Sequence, residues 1–171
     1  CRLIIDNNIG LSRSRNIGIK HCNSHFFWIL DDDVYTDHIM IKHIINAIQN
    51  KDSDIYTFRI AKNKNKALYK KYFNKKNITR LHSLKVSSIE IVVSKEMISK
   101  FSISFNEEFG LGSKYPSCEE NLFLLNCIDF GAKITHIPEV VVVHSDITSG
   151  YDNRTNQALI AKGYISQKFG I

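Results

Sequence analysis

The chain has 171 residues, 43% of them hydrophobic and 23% charged, with a formal net charge of +6. That is enough chain for one domain with a real core. Its composition is that of a folded protein rather than a disordered or disulfide-stapled one, and no apolar run is long enough to span a membrane. The positive balance points to acidic partners such as phosphorylated ligands, anionic membrane surfaces or nucleic acid. Cys1, Cys22, Cys118 and Cys127 form no C-x-x-C pair, which argues against a zinc site. They read as free thiols of a reducing, cytoplasmic compartment. The chain opens at Cys1 without a signal-peptide pattern, so an N-terminally truncated chain is expected, and a missing start would hide any targeting segment.

Leu3-Ile4-Ile5 reads as a short buried strand, and Asn7-Asn8-Ile9-Gly10 as a turn. Ser12 is placed to cap a helix running to about Cys22. Arg13 and Arg15 lie in its first turns, where positive charge opposes the helix dipole. They fit either a nearby anion or a solvated face.

Phe26-Phe27-Trp28-Ile29-Leu30 is an apolar, aromatic run that leads directly into Asp31-Asp32-Asp33. Three adjacent acids cannot continue into a core, because unpaired buried charge is too costly. The strand must end there and present its acids at the mouth of a sheet, where ligands bind in open α/β folds. Asp31 and Asp33 can converge on a hard divalent cation, Mg²⁺ or Mn²⁺, which takes one or two carboxylates together with phosphate oxygens. A plain acidic turn explains the same triplet equally well.

Thr36 and Asp37 offer a cap for a helix to about Asn50, with Ile39, Ile41, Ile44, Ile45 and Ile48 mostly at helical spacing. Asp54–Ile60 reads as a strand. The order strand, helix, strand, helix, strand predicts βαβ units, hence a three-layer α/β fold with a mainly parallel sheet and helices on both faces. From 62 to 80 basic residues alternate with Tyr69, Tyr72 and Phe73. Such a run fits single-stranded nucleic acid, anionic headgroups at the inner face of a membrane, or a solvated connection. No other motif supports a nucleic-acid role.

Val86–Val93 reads as a strand, and Ser94 caps a helix to Lys100. Phe105–Gly112 is an acidic loop closed by two glycines. Ser117 opens a helix that ends at Gly131. Ser117-x-x-Glu120 fits a capping box, while Glu119 or Glu120 could instead face a cleft as a general base. Lys133–Ile137 and Val140–Val143 read as strands separated by Pro138, the second ending at His144. A last helix spans about 155–168. No linker divides the chain, so residues 1–171 are expected to form one domain.

The order of these features resembles family 2 glycosyltransferases of the GT-A fold. The Gly10–Ile19 segment with its Arg15-Asn16 pair precedes the strand into Asp31-Asp32-Asp33. Phe105–Gly112 is similar to the family's Phe-Asp-Glu-x-Phe-Gly-x-Gly loop. Glu119-Glu120 stands where the family has Glu-Asp, and Pro138 to His144 resembles its closing segment. The resemblance covers about residues 3–146 and implies a GT-A-like, Rossmann-like mixed sheet that lacks the family's first strand.

It further implies a metal-dependent, inverting transfer of sugar from a nucleotide-diphosphate sugar to a saccharide or lipid-linked acceptor, in bacterial surface polysaccharide synthesis. Arg15, Asn16, Asp31, Asp32 and Asp33 would bind the donor. Asp33, Asp31 and His144 would hold the metal, and Glu120, or Glu119 beside it, would be the base. The reading from a different class is a non-catalytic basic module that binds nucleic acid or anionic membrane through residues 62–80.

Overall fold

The computed structural model describes residues 3–50, 52–62, 67–144 and 156–170. In chain order these form α1 (Leu11–Lys20), β1 (Phe26–Trp28), β2 (Val34–Tyr35), α2 (His38–Gln49), β3 (Ile55–Ala61), α3 (Arg80–Ser83), β4 (Ile91–Ser94), α4 (Lys95–Phe101), α5 (Glu119–Asp129), β5 (Ile134–His144) and α6 (Asn156–Phe169). A 3₁₀ turn, Ser88–Glu90, leads into β4.

The five strands form one mixed sheet in the order β1-β4-β3-β5-β2. β1, β3 and β5 run in one direction, whereas β4 and β2 run against them. The expected common direction is therefore present, but among adjacent strands only β3 and β5 are parallel neighbours. β4 follows a connection that returns it between β1 and β3 in the opposite sense.

Helices cover both faces. Ile44 and Ala47 of α2 pack on Tyr56, Phe58, Ile60, Val141 and Val142. On the other face Met97 and Ile98 of α4, with Phe123, Leu124 and Cys127 of α5, pack on Ile55, Ile91, Val93 and Ile134. α6 lies against α5, with Ala161 and Ile165 beside Leu122 and Leu125. The resulting three layers place the carboxyl ends of β1, β3 and β5 along one rim of the sheet.

Local chemistry explains most boundaries. Asp37 caps α2, accepting the Met40 N–H at 2.8 Å, and Ser94 caps α4 through the Met97 N–H, as expected for these residue types. Gly10, not Ser12, precedes α1. Ser12 is buried and its hydroxyl donates to the Phe109 carbonyl at 2.6 Å.

Several expectations change. Leu3–Ile5 is not a strand, and Leu3 and Ile5 are exposed. Among the described residues no strand lies beside that segment to complete a ladder. The Val86–Val93 run is a strand only from Ile91, because Ser88–Glu90 coils to turn Glu90 inward. The two strands expected around Pro138 are a single β5, with register shifts opposite Thr57–Ile60 that accommodate the proline. Residues at strand bulges need not donate to the ladder. Cys22, Cys118 and Cys127 are free thiols, as expected; Cys1 lies outside the described residues, as does Thr155, the expected start of the last helix.

Candidate active site

The acids of the 31–33 triplet sit just beyond β1. Trp28 ends the strand with its indole N–H donating to the Ile89 carbonyl at 2.9 Å, and Ile29 is buried. The backbone then leaves the core, Asp32 and Asp33 are exposed, and the chain turns into β2. β2 pairs antiparallel with the end of β5, setting Val34 opposite His144. That pairing, invisible in sequence because β2 is only two residues long, brings Asp33 to His144. The His144 Nε2 to Asp33 Oδ1 distance is 3.4 Å, with the histidine side chain 8% and the aspartate 50% exposed.

Asp31 takes a different partner. The Arg15 guanidinium lies 3.4 Å from Asp31 Oδ1 and donates at 2.8 Å to Glu119 Oε1. Arg15 is nine-tenths buried and stands 5.5 Å from the Phe105 ring centroid. The two arginines of α1 thus meet anions, as their unfavourable helix position hinted, but the anions are carboxylates of this chain. Arg13 pairs with Asp6 at 2.5 Å and faces Glu107 at 3.5 Å. This partner holds the Asp6 carboxyl below its usual value.

Asn16 fixes the acidic loop. Its side-chain amide donates to the Phe105 carbonyl at 2.9 Å, and its oxygen accepts the Phe105 N–H at 2.8 Å. The Leu11 N–H donates to the Leu111 carbonyl at 2.9 Å. Gly110 has φ +100°, and a Cβ there would stand 3.1 Å from Ser12 Oγ and 3.3 Å from Glu119 Cγ. The positive φ favours glycine there, a side chain would also crowd Ser12 and Glu119, and the loop lies over Glu119.

α5 starts at Glu119, and its cap residue is Cys118 in the left-handed region, φ 68° and ψ 13°. Ser117 bonds to the Cys118 thiol instead of the helix. The capping box does not form, because the left-handed turn at Cys118 moves Ser117 out of register with the helix N–H groups. A left-handed non-glycine residue is strained, and such residues are found at functional sites. Glu120 is consequently not spent on a cap. It is half-buried. Desolvation drives its carboxyl well above the usual carboxylate range, and Glu119 adds to the rise. Arg15 and Lys70 oppose it.

Arg15 therefore joins α1, the end of β1 and the start of α5, while β2 joins Asp33 to His144. Among the described residues no three His, Cys, Asp or Glu side chains converge as a ready metal cage. Asp33 and His144 offer two donors of suitable type, and Asp31 is engaged by Arg15.

Residues 67–80 are not uniformly solvated. Tyr69, Tyr72 and Phe73 are half-buried. The Tyr72 hydroxyl accepts the Ile60 N–H at 2.8 Å, and the Tyr69 ring meets the His144 ring edge-on at 5.8 Å. Lys64 and Lys66 lie outside the described residues.

The family model for glycosyl transferase family 2 matches residues 2–105. The chain is similar in fold to crystal structures of S. aureus TarS 1–349. With UDP-GlcNAc bound, that structure superimposes with a TM-score of 0.71 at 16% identity over 96% of this chain and 48% of its own. Its UDP complex gives 0.63 at 18% identity over 80% and 40%, respectively. The TarS 1–349 structure described without either ligand gives 0.63 at 16% identity over 94% and 53%. This chain spans about half the length of those structures. No curated protein gives a significant match by sequence.

Proposed function

The chain belongs to glycosyl transferase family 2, and on that premise we propose that it carries the transfer site for moving a sugar from a nucleotide-diphosphate sugar to a saccharide or lipid-linked acceptor. The observation that carries this reading is the junction at Arg15, which ties the rim acid Asp31 to Glu119 at the start of α5. On this reading Asp31 lies on the donor side and the start of α5 on the acceptor side. The UDP and UDP-GlcNAc bound by TarS support a uridine-linked donor, and surface polysaccharide synthesis is the matching biological setting.

In this reading Arg15, Asn16, Asp31, Asp32 and Asp33 form the donor wall. Arg15 orients Asp31, and Asn16 holds the Phe105 loop against α1. Asp33 and His144 would hold a Mg²⁺ or Mn²⁺ ion, a kind of ion that needs few protein ligands. Bound there, the ion supplies positive charge for the departing diphosphate.

Glu120 takes the acceptor hydroxyl proton. A carboxylate whose proton affinity is raised by burial is better matched to that task near neutral pH than an ordinary one. Glu119 is held by Arg15, which leaves Glu120 as the base of the pair. A base on the face opposite the leaving group gives inversion, by the logic of inverting glycosidases. Among the described residues no helix is long and apolar enough to cross a membrane. Contact with an inner membrane face through the basic 62–80 segment is the accompanying proposal.

The test is transfer from a panel of uridine-diphosphate sugars to saccharide acceptors. Glu120→Gln should abolish transfer and spare donor binding, Glu119→Gln should weaken both through Arg15, and Asp33→Ala should lose metal-dependent donor binding. Full transfer by Glu120→Gln would remove Glu120 from the base role.

A further inference from the structure

We propose that Lys70 is a positioning residue for Glu120, locking the 83–90 turn on which Asn121 seats the first turn of α5. The inference deepens the reading of Glu120 as the base, and its catalytic meaning rests on that reading.

Lys70 comes from the basic segment, yet its ammonium is fully engaged. It lies 2.5 Å from Glu90 Oε1, 2.8 Å from Ser87 Oγ and 2.5 Å from the Lys85 carbonyl. All three acceptors belong to the short connection between α3 and β4. Glu90 is 2% exposed and also accepts from the Tyr72 hydroxyl at 3.3 Å. An ammonium has three protons to donate, and here each has an oxygen within reach on one turn.

The other side of that turn is held from α5. The Asn121 side-chain amide is buried and donates to the Ser83 carbonyl at 3.0 Å and the Val86 carbonyl at 3.2 Å. Asn121 follows Glu120 directly. The turn is thus clasped between Lys70 and the residue beside the base; Cys118 supplies no side-chain cap, and Arg15 holds the neighbouring Glu119 from the other side. The helix start carries two adjacent carboxylates, which repel each other, so an external seat fixes where Glu120 stands. The Lys70 charge also acts directly on Glu120, together with Arg15 and against Glu119.

The experiment uses the full chain and needs no sugar transfer. Amide hydrogen exchange is measured for wild type, Lys70→Met, Asn121→Ala, the double variant and Lys70→Arg, together with the titration of the Glu120 carboxyl carbon by NMR. Lys70→Met and Asn121→Ala should each speed exchange at Leu122–Leu124 about tenfold relative to β3 and β5. The double variant should be no faster than the faster single one, because both act through one turn. The Glu120 titration should move up by about half a unit in Lys70→Met, where a neighbouring cation is lost, and Lys70→Arg should restore both readouts.

Lys70→Met leaves Glu90 buried without its partner. If that variant does not fold, Lys70→Met/Glu90→Leu, which removes both charges, should show the same faster exchange. Wild-type exchange at Leu122–Leu124 in the Lys70 variants, or additive effects in the double variant, would overturn the proposal. An active Glu120→Gln would sink the base assignment and leave this linkage standing, so the two failures are distinguishable.

Discussion

Arg15 and Glu119 are 104 residues apart in sequence and are joined by a 2.8 Å hydrogen bond between side chains that are each about nine-tenths buried. The pair ties the start of α5 to α1 and, through Asp31, to the end of β1. Buried ion pairs contribute little net stability when complete but are costly to break from one side, because an uncompensated charge remains. Arg15→Met is expected to destabilise the fold by about 3 kcal/mol for that reason, measured by chemical denaturation. Arg15→Met/Glu119→Leu should recover a large part of the loss. A loss below about 1 kcal/mol in the single variant, the range of surface pairs, would mean that solvent reaches the pair freely.

Gly110 adjoins the same pair from above. With φ +100° and a Cβ that would crowd Ser12 Oγ and Glu119 Cγ at 3.1 and 3.3 Å, Gly110→Ala should cost about 2 kcal/mol, chiefly through backbone strain. Ser12 and Glu119 are the side chains it crowds, so the variant should also disturb the Arg15–Glu119 bond. Unchanged thermal stability in Gly110→Ala would show that the loop relaxes without disturbing α5.

Glu90 gives a pH signature. Burial pushes its carboxyl up to about 7, against the pull of Lys70. The folded state therefore holds this proton more tightly than the unfolded chain does. Its contribution is complete below the ordinary carboxylate value and is lost as pH rises through about 7, a change of about 3 kcal/mol for a shift of this size. Glu90→Gln lacks this dependence. Relative to wild type the variant should become progressively less destabilised between pH 4.5 and 7, followed by denaturation at each pH. His136, whose pKa is lowered to about 4 mainly by burial, works in the opposite direction. It is present in both proteins, so the comparison isolates Glu90. A stability difference that is flat across this range would contradict the assignment.

Much of this architecture was legible from residue order. The aromatic run into Asp31–Asp33, the Asp37 and Ser94 caps and the apolar spacing of α2 and α5 are local signals, and local signals survive into the fold. Arg13 and Arg15, placed against the helix dipole, left an anion and a solvated face open, and both meet carboxylates of the chain. What the sequence could not show depended on partners distant in the chain. β2 has two residues and exists because β5 pairs with it. The 86–93 run looked like an uninterrupted strand because nothing local reveals that Glu90 turns inward to Lys70. The Ser117–Glu120 spacing satisfied a capping box, but the left-handed Cys118 displaced it. Composition left residues 62–80 open between a ligand-binding and a solvated segment, whereas Tyr69 packs on His144 and Tyr72 and Lys70 turn inward to Glu90.

The central claim is the proposal that the rim acids of this glycosyl transferase family 2 chain bind a nucleotide diphosphate through Asp33, with Glu120 reserved for the acceptor. Calorimetric titration of UDP into the chain, with Mn²⁺ and then with chelator, tests it most directly when run on wild type, Asp33→Ala and Glu120→Gln. The account predicts Mn²⁺-dependent binding in wild type and Glu120→Gln and its loss in Asp33→Ala. Mn²⁺-dependent binding retained in Asp33→Ala, or no Mn²⁺-dependent binding in wild type, would contradict it.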